Sequence, residues 1–401
     1  MYHLKDLKHL IYFERLLENA DNELIEKARA DGGVCLGYTC FHIPEVLLNL
    51  GNCFSTRLRA PNTGSIDIAT YYMSNYTCEY ARALLERAIE GGYRYLDALI
   101  GVDACSMMNR SMEHFEILQV NEKPDFFVTH CDMPFKITDY TIDGYVRQMQ
   151  AHVLDRIHET FGVDVSDEAI RKAVDEHNEV CRIISEISEL RKLDNPIVTG
   201  YEFHVLNLVT YVCPKALILP YLRETLEELK KREPDRDNPF RARVAIVGSE
   251  IDDPSLTRLI EGCGALVVSD RYCFGSKPGR EVIELRDDEP ALRQICRHYM
   301  EVSECARYIS DEKVLQRRET ADRLAREFKA EGIIYEQMKY CDYWGFERAL
   351  VSHIMHDEYG WPVLSIDRLY NNGNSGQLRT RVQAFVESLE IKRIHKEEGD
   401  K

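Results

Sequence analysis

The sequence lacks the short motifs of several common enzyme classes. It contains no G-x-x-x-x-G-K-[ST] segment, so the chain is not expected to hydrolyse ATP by itself. No G-x-G-x-x-G follows a predicted strand, because Gly262-Cys263-Gly264 has no third glycine and closes a predicted helix; dinucleotide binding is therefore unsupported. The absence of C-x-x-C, H-E-x-x-H and G-x-S-x-G segments argues against a thioredoxin-like site, a zinc ribbon, a zincin and a serine-hydrolase elbow.

Positive charge and long apolar runs are also scarce. The 51 lysines and arginines are outnumbered by 68 aspartates and glutamates, and the resulting net charge of −17 argues against a nucleic-acid or anionic membrane surface. The most apolar long stretch, residues 203–222, is broken by a histidine, an asparagine, a proline and a lysine, which predicts buried core rather than a membrane span. Residues 1–18 predict an amphipathic helix instead of a secretory signal, so we expect a cytoplasmic protein.

Cysteine, in contrast, is plentiful, with 13 residues. Disulfides are not expected in a reducing compartment, so packing, metal binding or redox chemistry must explain the count. A free cysteine behaves as a small buried hydrophobe. This interpretation covers the five cysteines in apolar or helical contexts, which are Cys53, Cys181, Cys213, Cys263 and Cys296.

Alternating strands and helices predict an α/β fold with parallel sheets in the first and last parts of the chain. We predict two similar doubly wound domains, Rossmann- or flavodoxin-like, with a helical segment between them. The predicted boundaries are an N-terminal helix at 1–30, a first α/β domain at 31–137, a helical domain with a hinge at 138–238, and a second α/β domain at 239–401.

The two α/β parts contain similar predicted elements in the same order. An apolar run at 34–36 is followed by Pro44, which opens a predicted helix ending at Gly51, and the run 244–247 is followed in the same way by Pro254. Further strands are predicted at 96–102, 126–129, 265–268, 332–335 and 363–366. Because ligands of such sheets bind beyond the carboxyl ends of strands, residues just after these runs are the candidates for a site.

Two cysteines stand at equivalent points of the two parts. Cys105 follows the run 96–102 and Cys341 follows the run 332–335, each just before a predicted helix. Cys78 also precedes a predicted helix, where the helix dipole favours a thiolate. Several thiolates around one point would suit an iron–sulfur cluster, although spacing alone favours capping or core cysteines, which are the commoner case.

Eight segments, in order along the chain, carry a resemblance to a known family. They read GYTCFHIPEVL (37–47), NYTCEYAR (75–82), VDAC (102–105), VGS (247–249), IEGCGA (260–265), VSDRYCFGS (268–276), KYCD (339–342) and GQLRTRVQAF (376–385). In this order they resemble the 2-hydroxyacyl-CoA dehydratase / benzoyl-CoA reductase family over nearly the whole chain. The chain departs from the family at Glu304, where proline often precedes the cysteine, which bears on substrate and subunit type more than on the fold.

The resemblance implies an iron–sulfur subunit of a 2-hydroxyacyl-CoA dehydratase. Such an enzyme eliminates water from an (R)-2-hydroxyacyl-CoA through a ketyl radical and gives the 2-enoyl-CoA. The implied cofactor is a 4Fe-4S cluster held by Cys78, Cys105 and Cys341, which leaves one iron open to substrate. The implied partners are an acyl-CoA substrate, a homologous second subunit or a second copy of the chain, and a separate ATP-hydrolysing iron–sulfur activator protein.

Two alternatives stay open. One is a low-potential reductase of an aromatic (benzoyl-CoA-type) acyl-CoA or of a small molecule, with a 4Fe-4S cluster or an eight-iron double-cubane cluster. The extra thiolates of the larger cluster would come from Cys35, Cys40 and Cys131, for which packing in the core is the favoured interpretation, whereas Cys273 and Cys305 are interpreted as structural. The other alternative is a non-catalytic scaffold subunit.

Side chains near predicted strand ends and the C-terminal segment supply further candidates. Tyr38, His42 and Glu45 are the predicted catalytic residues, and Thr39 is predicted to bind substrate. Asp103, His130 and Asp342 are further acid–base candidates, and every one of these side chains has a structural alternative as a cap or a buried hydrogen-bonded group. Gln377 and Arg379 are predicted to bind substrate, and together with Arg381, Arg57 and Arg59 they would hold CoA phosphates or a subunit interface.

Overall fold

The computed structural model describes residues 6–234, 240–370 and 376–399, with side chains up to residue 395. Eight strands form two four-stranded sheets, in the orders β2-β1-β3-β4 and β6-β5-β7-β8, and every strand pair is parallel. The strands are β1 (Val34–Tyr38), β2 (Cys53–Arg57), β3 (Ala98–Asp103), β4 (Phe127–Asp132), β5 (Ala242–Gly248), β6 (Ala265–Tyr272), β7 (Gly332–Met338) and β8 (Val363–Arg368). The prediction of an α/β fold with two similar doubly wound sheets is confirmed.

In each sheet the direction in which strands are added reverses after the second strand, at equivalent positions of the two sheets. From β1 the chain adds β2 on one side and then returns to add β3 and β4 on the other, and β5 to β8 repeat this order. Helices cover both faces, which is why β5 and β6 are buried along their whole length. The switch point between β1 and β3, and that between β5 and β7, each open a crevice at the carboxyl ends of the strands.

Helices α1 to α5 belong to the first part of the chain. They are α1 (Leu10–Leu17), α2 (Glu23–Ala30), α3 (Ala69–Tyr72), α4 (Glu79–Ile89) and α5 (Ser106–Ile117). The helix predicted at 1–18 begins at Leu10, and residues 1–5 lie outside the described part. Asn22 is the N-cap of α2, because its side chain accepts hydrogen bonds from the amides of Leu24 and Ile25.

The segment between the sheets is helical, as predicted. It contains α6 (Asp139–Met149), a π-helical turn (Gln150–Leu154), α7 (Asp155–Phe161), α8 (Asp167–Glu189), a 3-10 turn (Leu190–Lys192), α9 (Gly200–Val212) and α10 (Lys215–Leu229). Gly162 ends α7 with a φ of 69°, and Ser166 caps α8. Helix α9 is almost wholly buried and contacts both β2 and β6, so it joins the two sheets. Residues 235–239 of the predicted hinge lie outside the described residues.

The last part of the described chain contains five helices. They are α11 (Ser255–Glu261), α12 (Ala291–Glu301), α13 (Asp311–Glu327), α14 (Asp342–Asp357) and α15 (Gly376–Gly399). No helix in the described ranges combines the length and the apolar character needed to cross a bilayer.

One predicted helix is wrong. Residues 45–51 form only a 3-10 turn, Glu45–Leu48. The side chain of Asn49 ends the turn, since it donates to the Glu45 carbonyl at 2.6 Å and accepts from the Ser55 amide at 3.1 Å. Gly51 then adopts a φ of 58° and the chain enters β2, which leaves too few residues for a longer helix.

Candidate functional site

Three cysteines occupy the position just before the first residue of a helix. Cys78 precedes α4, Cys105 precedes α5 and Cys341 precedes α14. Backbone N–H groups of the first helical turns point at these sulfur atoms, from Tyr80 and Ala81 toward Cys78 among others. Such donors, together with the helix dipoles, stabilise negative charge on sulfur.

The three sulfurs face one cavity of about 100 Å³ between the carboxyl ends of the two sheets. Three further cysteines line the same cavity: Cys40 after β1, Cys273 after β6, and Cys305 between α12 and α13. The rest of the described wall is mainly apolar or aromatic and includes Phe41, Tyr80, Ala81, Val102, Ala104, Met107, Met108, Tyr272, Pro278, Tyr343 and Trp344. Six of the 13 cysteines therefore converge on one largely apolar space.

The donor set suits a cluster better than a single ion. Among the described side chains, no three His, Cys, Asp or Glu residues come close enough together to hold one metal ion. A cluster is wider than an ion, so its cysteines must stand around a cavity, as these do. Burial raises the pKa of Cys78 to about 12 and also raises the pKa values of Cys105 and Cys341. The thiols therefore need a bound cation to become thiolates, and soft thiolates in an apolar cavity are the ligands that iron–sulfur clusters use.

Two arginines and two glutamates also reach the cavity wall. Arg57, the last residue of β2, lies with its guanidinium 3.8 Å from the ring centre of Phe274. Its Nη2 is 3.6 Å from Glu250 Oε2, and burial raises the pKa of Glu250 to about 7. Arg271 is paired more closely, because its Nε contacts the carboxylate of Glu304 and its Nη2 donates to the Glu304 carbonyl at 3.0 Å.

Two of the sequence-predicted residues near β1 line the cavity. Thr39 does so while its Oγ1 donates to Met112 Sδ at 3.7 Å. His42 is buried, and its Nε2 lies 2.7 Å from Ser303 Oγ. Burial lowers the pKa of His42 to about 3, so the ring is neutral near pH 7.

Tyr38 and Glu45 lie outside the cavity wall, in a buried network. The Tyr38 hydroxyl donates to Glu45 Oε2 at 2.7 Å, and Arg280 Nη1 donates to Glu45 Oε1 at 2.7 Å. Lys215 Nζ and His177 Nδ1 lie 3.5 and 3.3 Å from the same carboxylate. Burial alone would raise the pKa of Glu45, but Arg280, Lys215 and His177 outweigh it and hold that pKa well below its usual range.

The C-terminal candidates are also separate from the cavity. Gln377 and Arg379 lie in the first turn of α15, where the Arg379 carbonyl is 3.8 Å from Cys263 Sγ. Arg381 Nη2 donates to the Ser365 carbonyl. Arg59 is buried, and its Nη1 donates to the Leu17 carbonyl at 3.2 Å, so it lies in the interior and not at an exposed interface.

The remaining cysteines are placed in the core. Cys35 lies within β1 and Cys131 within β4, both fully buried and away from the cavity, so only Cys40 of the three extra candidates reaches it. The five cysteines interpreted as core residues are all buried.

Cys273 and Cys305, interpreted from the sequence as structural, line the cavity, and so does Glu250, which no sequence pattern singled out. The predicted strand 265–268 stopped four residues before the actual end of β6 at Tyr272, which hid the position of Cys273 at a strand end. Glu250 follows β5 as Cys40 follows β1, and this equivalence of the two sheets would have indicated it. Cys305 lies in a connection between two helices, and no local pattern marks it.

Comparison with known proteins gives the family. The model of the family described as "2-hydroxyglutaryl-CoA dehydratase, D-component" matches residues 40–389. The (R)-phenyllactyl-CoA dehydratase beta subunit of Clostridium sporogenes is 22% identical over 378 residues, which cover 94% of this chain and 97% of that protein. The (R)-2-hydroxyglutaryl-CoA dehydratase subunit beta of Acidaminococcus fermentans is 21% identical, with 91% and 95% covered. A subunit of the benzoyl-CoA reductase of Thauera aromatica is 21% identical, with 80% and 81% covered. The family match spans most of the chain, and this protein belongs to the 2-hydroxyglutaryl-CoA dehydratase D-component family.

Proposed function

We propose that this chain is an iron–sulfur subunit of a 2-hydroxyacyl-CoA dehydratase, in which Cys78, Cys105 and Cys341 hold a 4Fe-4S cluster. The observation that carries the proposal is that these cysteines, from two sheets and three helices, face one cavity. When bound, the cluster supplies a low-potential electron and an iron that no cysteine of this set ligates. The reaction is the loss of water from an (R)-2-hydroxyacyl-CoA, which gives the 2-enoyl-CoA.

The chain's own residues give the cavity its chemical character. Apart from two arginine–glutamate pairs its wall is mainly apolar or aromatic, and the helix N–H groups near Cys78, Cys105 and Cys341 stabilise charge on their sulfurs. Burial lowers the pKa of His42 to about 3, so its neutral ring would not act as an imidazolium acid near pH 7, and its Nε2 shares a hydrogen bond with Ser303 Oγ at 2.7 Å. Glu250 lies on the wall of the cavity, whereas Glu45 does not.

Two partners complete the proposal. The relatives named above are subunits of dehydratases and of a reductase, so we expect a second subunit related to this one or a second copy of the chain. We also expect a separate activator that hydrolyses ATP and delivers the electron, since this chain has no P-loop segment.

A second candidate function is favoured by Cys40, Cys273 and Cys305. These three cysteines line the same cavity as the first three and would provide the thiolates that an eight-iron double-cubane cluster needs. The protein would then be a low-potential reductase of an aromatic acyl-CoA or a small molecule, and the electrons would stay in the product.

Iron and sulfide counts after anaerobic purification distinguish the candidates. We expect about four irons per chain for the dehydratase cluster and about eight for the larger one. A chain without iron, even after reconstitution with iron and sulfide, would instead be a scaffold subunit and would contradict both proposals.

Three cysteine variants locate the ligands. Cys105→Ser should lose most of its iron under either proposal, and retention of the full count would contradict the assignment. Cys305→Ser should keep its iron if the cluster has about four irons and lose part of it if the cluster has about eight. Cys213→Ser is the matched control, because Cys213 is buried in the core away from the cavity and should leave the iron content unchanged.

Activity separates the two reactions. The holoprotein is combined under anaerobic conditions with its second subunit, a reduced activator and ATP. Conversion of a 2-hydroxyacyl-CoA to the 2-enoyl-CoA supports the dehydratase, and net reduction of an acyl-CoA or small molecule supports the reductase.

A further inference from the structure

Two side chains of opposite charge on the wall of the six-cysteine cavity form only a long ion pair with each other. Arg57 and Glu250 both line it, and the closest approach of their charged atoms is 3.6 Å, from Nη2 to Oε2. Neither of these two atoms has a hydrogen-bond partner within the described part of the chain, and the same is true of Arg57 Nε. Buried polar atoms normally have partners, so each charge retains a capacity to act on what the cavity holds.

The surrounding structure holds the Arg57 guanidinium in place. Its Nη1 donates to the Cys273 carbonyl at 2.5 Å, and its plane lies over the ring of Phe274, 3.8 Å from the ring centre. The side chain is 1% exposed. An arginine does not lose its proton in a protein, so this position carries a permanent positive charge.

Arg271, on the wall of the same cavity, forms a close ion pair with Glu304. Its Nε contacts the Glu304 carboxylate and its Nη2 donates to the Glu304 carbonyl, so both of these groups have partners. The two charges of this pair therefore largely cancel beyond their immediate surroundings. The electrostatic potentials of Arg57 and Glu250 cancel less completely, because their charged atoms are 3.6 Å apart and no direct hydrogen bond joins them.

Charges of this kind act on the energy of an added electron. A cation favours the reduced, more negative state of a nearby redox centre, and a carboxylate disfavours it. Net charge and hydrogen bonds around a cluster are among the factors that set its reduction potential. In an apolar cavity the effect of a unit charge is larger than in water, because it is less screened.

We propose that Arg57 and Glu250 tune the reduction potential of the iron–sulfur cluster in opposite directions, with Arg57 raising it and Glu250 lowering it. This proposal rests on the proposed function, since it requires that the six-cysteine cavity holds a cluster.

The test is a redox titration of purified, cluster-containing protein, monitored by electron paramagnetic resonance and visible absorbance at one fixed pH of about 8.5, where a carboxyl with a pKa of about 7 is mostly ionised. The variants are Arg57→Gln, Arg57→Lys, Glu250→Gln and the double variant. At the wild-type midpoint, Arg57→Gln should lower the ratio of reduced to oxidised cluster about tenfold, a shift of about −59 mV for one electron. Glu250→Gln should raise that ratio by a similar factor, and the double variant should lie near the wild type.

Two variants distinguish charge from altered packing. Arg57→Lys keeps the positive charge and should stay closer to the wild type than Arg57→Gln does. Met108→Leu changes the shape of an uncharged side chain of the cavity wall and should leave the potential close to that of the wild type. Should Arg57→Gln fail to fold, the upward shift of Glu250→Gln still tests the proposal.

Iron content measured on the same samples distinguishes failure of the proposed function from failure of this proposal. A wild-type protein without a cluster would overturn the proposed function and this proposal together. A wild-type cluster whose potential is the same in all variants would overturn only this proposal. Shifts of Arg57→Gln and Glu250→Gln in the same direction would also overturn it.

Discussion

Replacing Glu45 with glutamine removes the one negative charge that the buried cations around it share. Arg280, Lys215 and Glu45 have side chains that are 1%, 2% and 4% exposed, and Arg280 Nη1 lies 2.7 Å from Glu45 Oε1. His177 lies 3.3 Å from the same oxygen, and its pKa is raised to about 9: burial lowers it, but Cys181 and Glu45 outweigh that effect. Glutamine keeps the shape of the side chain but leaves these cations without a counter-charge.

The expected loss of stability is large. Removal of one partner of a buried ion pair typically costs about 3–5 kcal/mol, because the remaining charge stays buried without compensation. For a domain of about 150–250 residues, each kcal/mol shifts the melting temperature by roughly 2–4 °C, so Glu45→Gln should melt roughly 6–20 °C lower than the wild type.

The assay is thermal unfolding followed by circular dichroism, under reducing conditions, on protein without added iron. Glu227→Gln is the matched control, because Glu227 forms an exposed pair with Lys230 at 3.0 Å and such pairs contribute about 0–1 kcal/mol. A Glu45→Gln variant that melts with the wild type but has lost activity would refute the reasoning, since Glu45 would then act in the chemistry.

Two further predictions concern the core. Burial lowers the pKa of His204 to about 4 from the usual 6.5. The contribution of the neutral ring to stability is therefore present above pH 6.5 and is lost as the pH falls toward 4. This loss amounts to about 3 kcal/mol at pH 4. In urea unfolding at pH 7 and pH 4, His204→Gln should lose less stability between the two pH values than the wild type, and equal losses would contradict the assignment. Gly200→Ala should lower stability by about 1–3 kcal/mol, because a Cβ there would lie 2.4 Å from both the Cβ and the carbonyl oxygen of Val267. A variant that melts with the wild type would show that β6 moves aside at no cost.

Local patterns predicted much of the fold. Apolar runs followed by glycine or proline indicated strands and helices in both parts of the chain, because the period of the pattern reflects which face of each element is buried. The similar order of these elements predicted two similar sheets, and it placed Cys105 and Cys341 at equivalent strand ends. The helix predicted after Pro44 was wrong because Asn49 ends it through contacts that a periodic pattern does not reveal.

Some features of the site depend on contacts between residues that are far apart in the sequence. Glu45 follows a predicted strand as a catalytic carboxylate would, yet its partners come from α8, α10 and the loop around Arg280. Arg57 was predicted to hold CoA phosphates or a subunit interface, but its place beside Glu250 follows from the packing of the two sheets.

The sequence by itself determined the class of fold, the family resemblance and the position of Cys78, Cys105 and Cys341 before helices, because each depends on residues close together in the chain. The tertiary structure alone decided that Cys40, Cys273 and Cys305 join them around one cavity. It also decided that Arg57 and Glu250 face that cavity together. The physical reason is that the cavity lies between the carboxyl ends of two separate sheets, and tertiary contacts, among them the packing of both sheets against α9, bring those ends together.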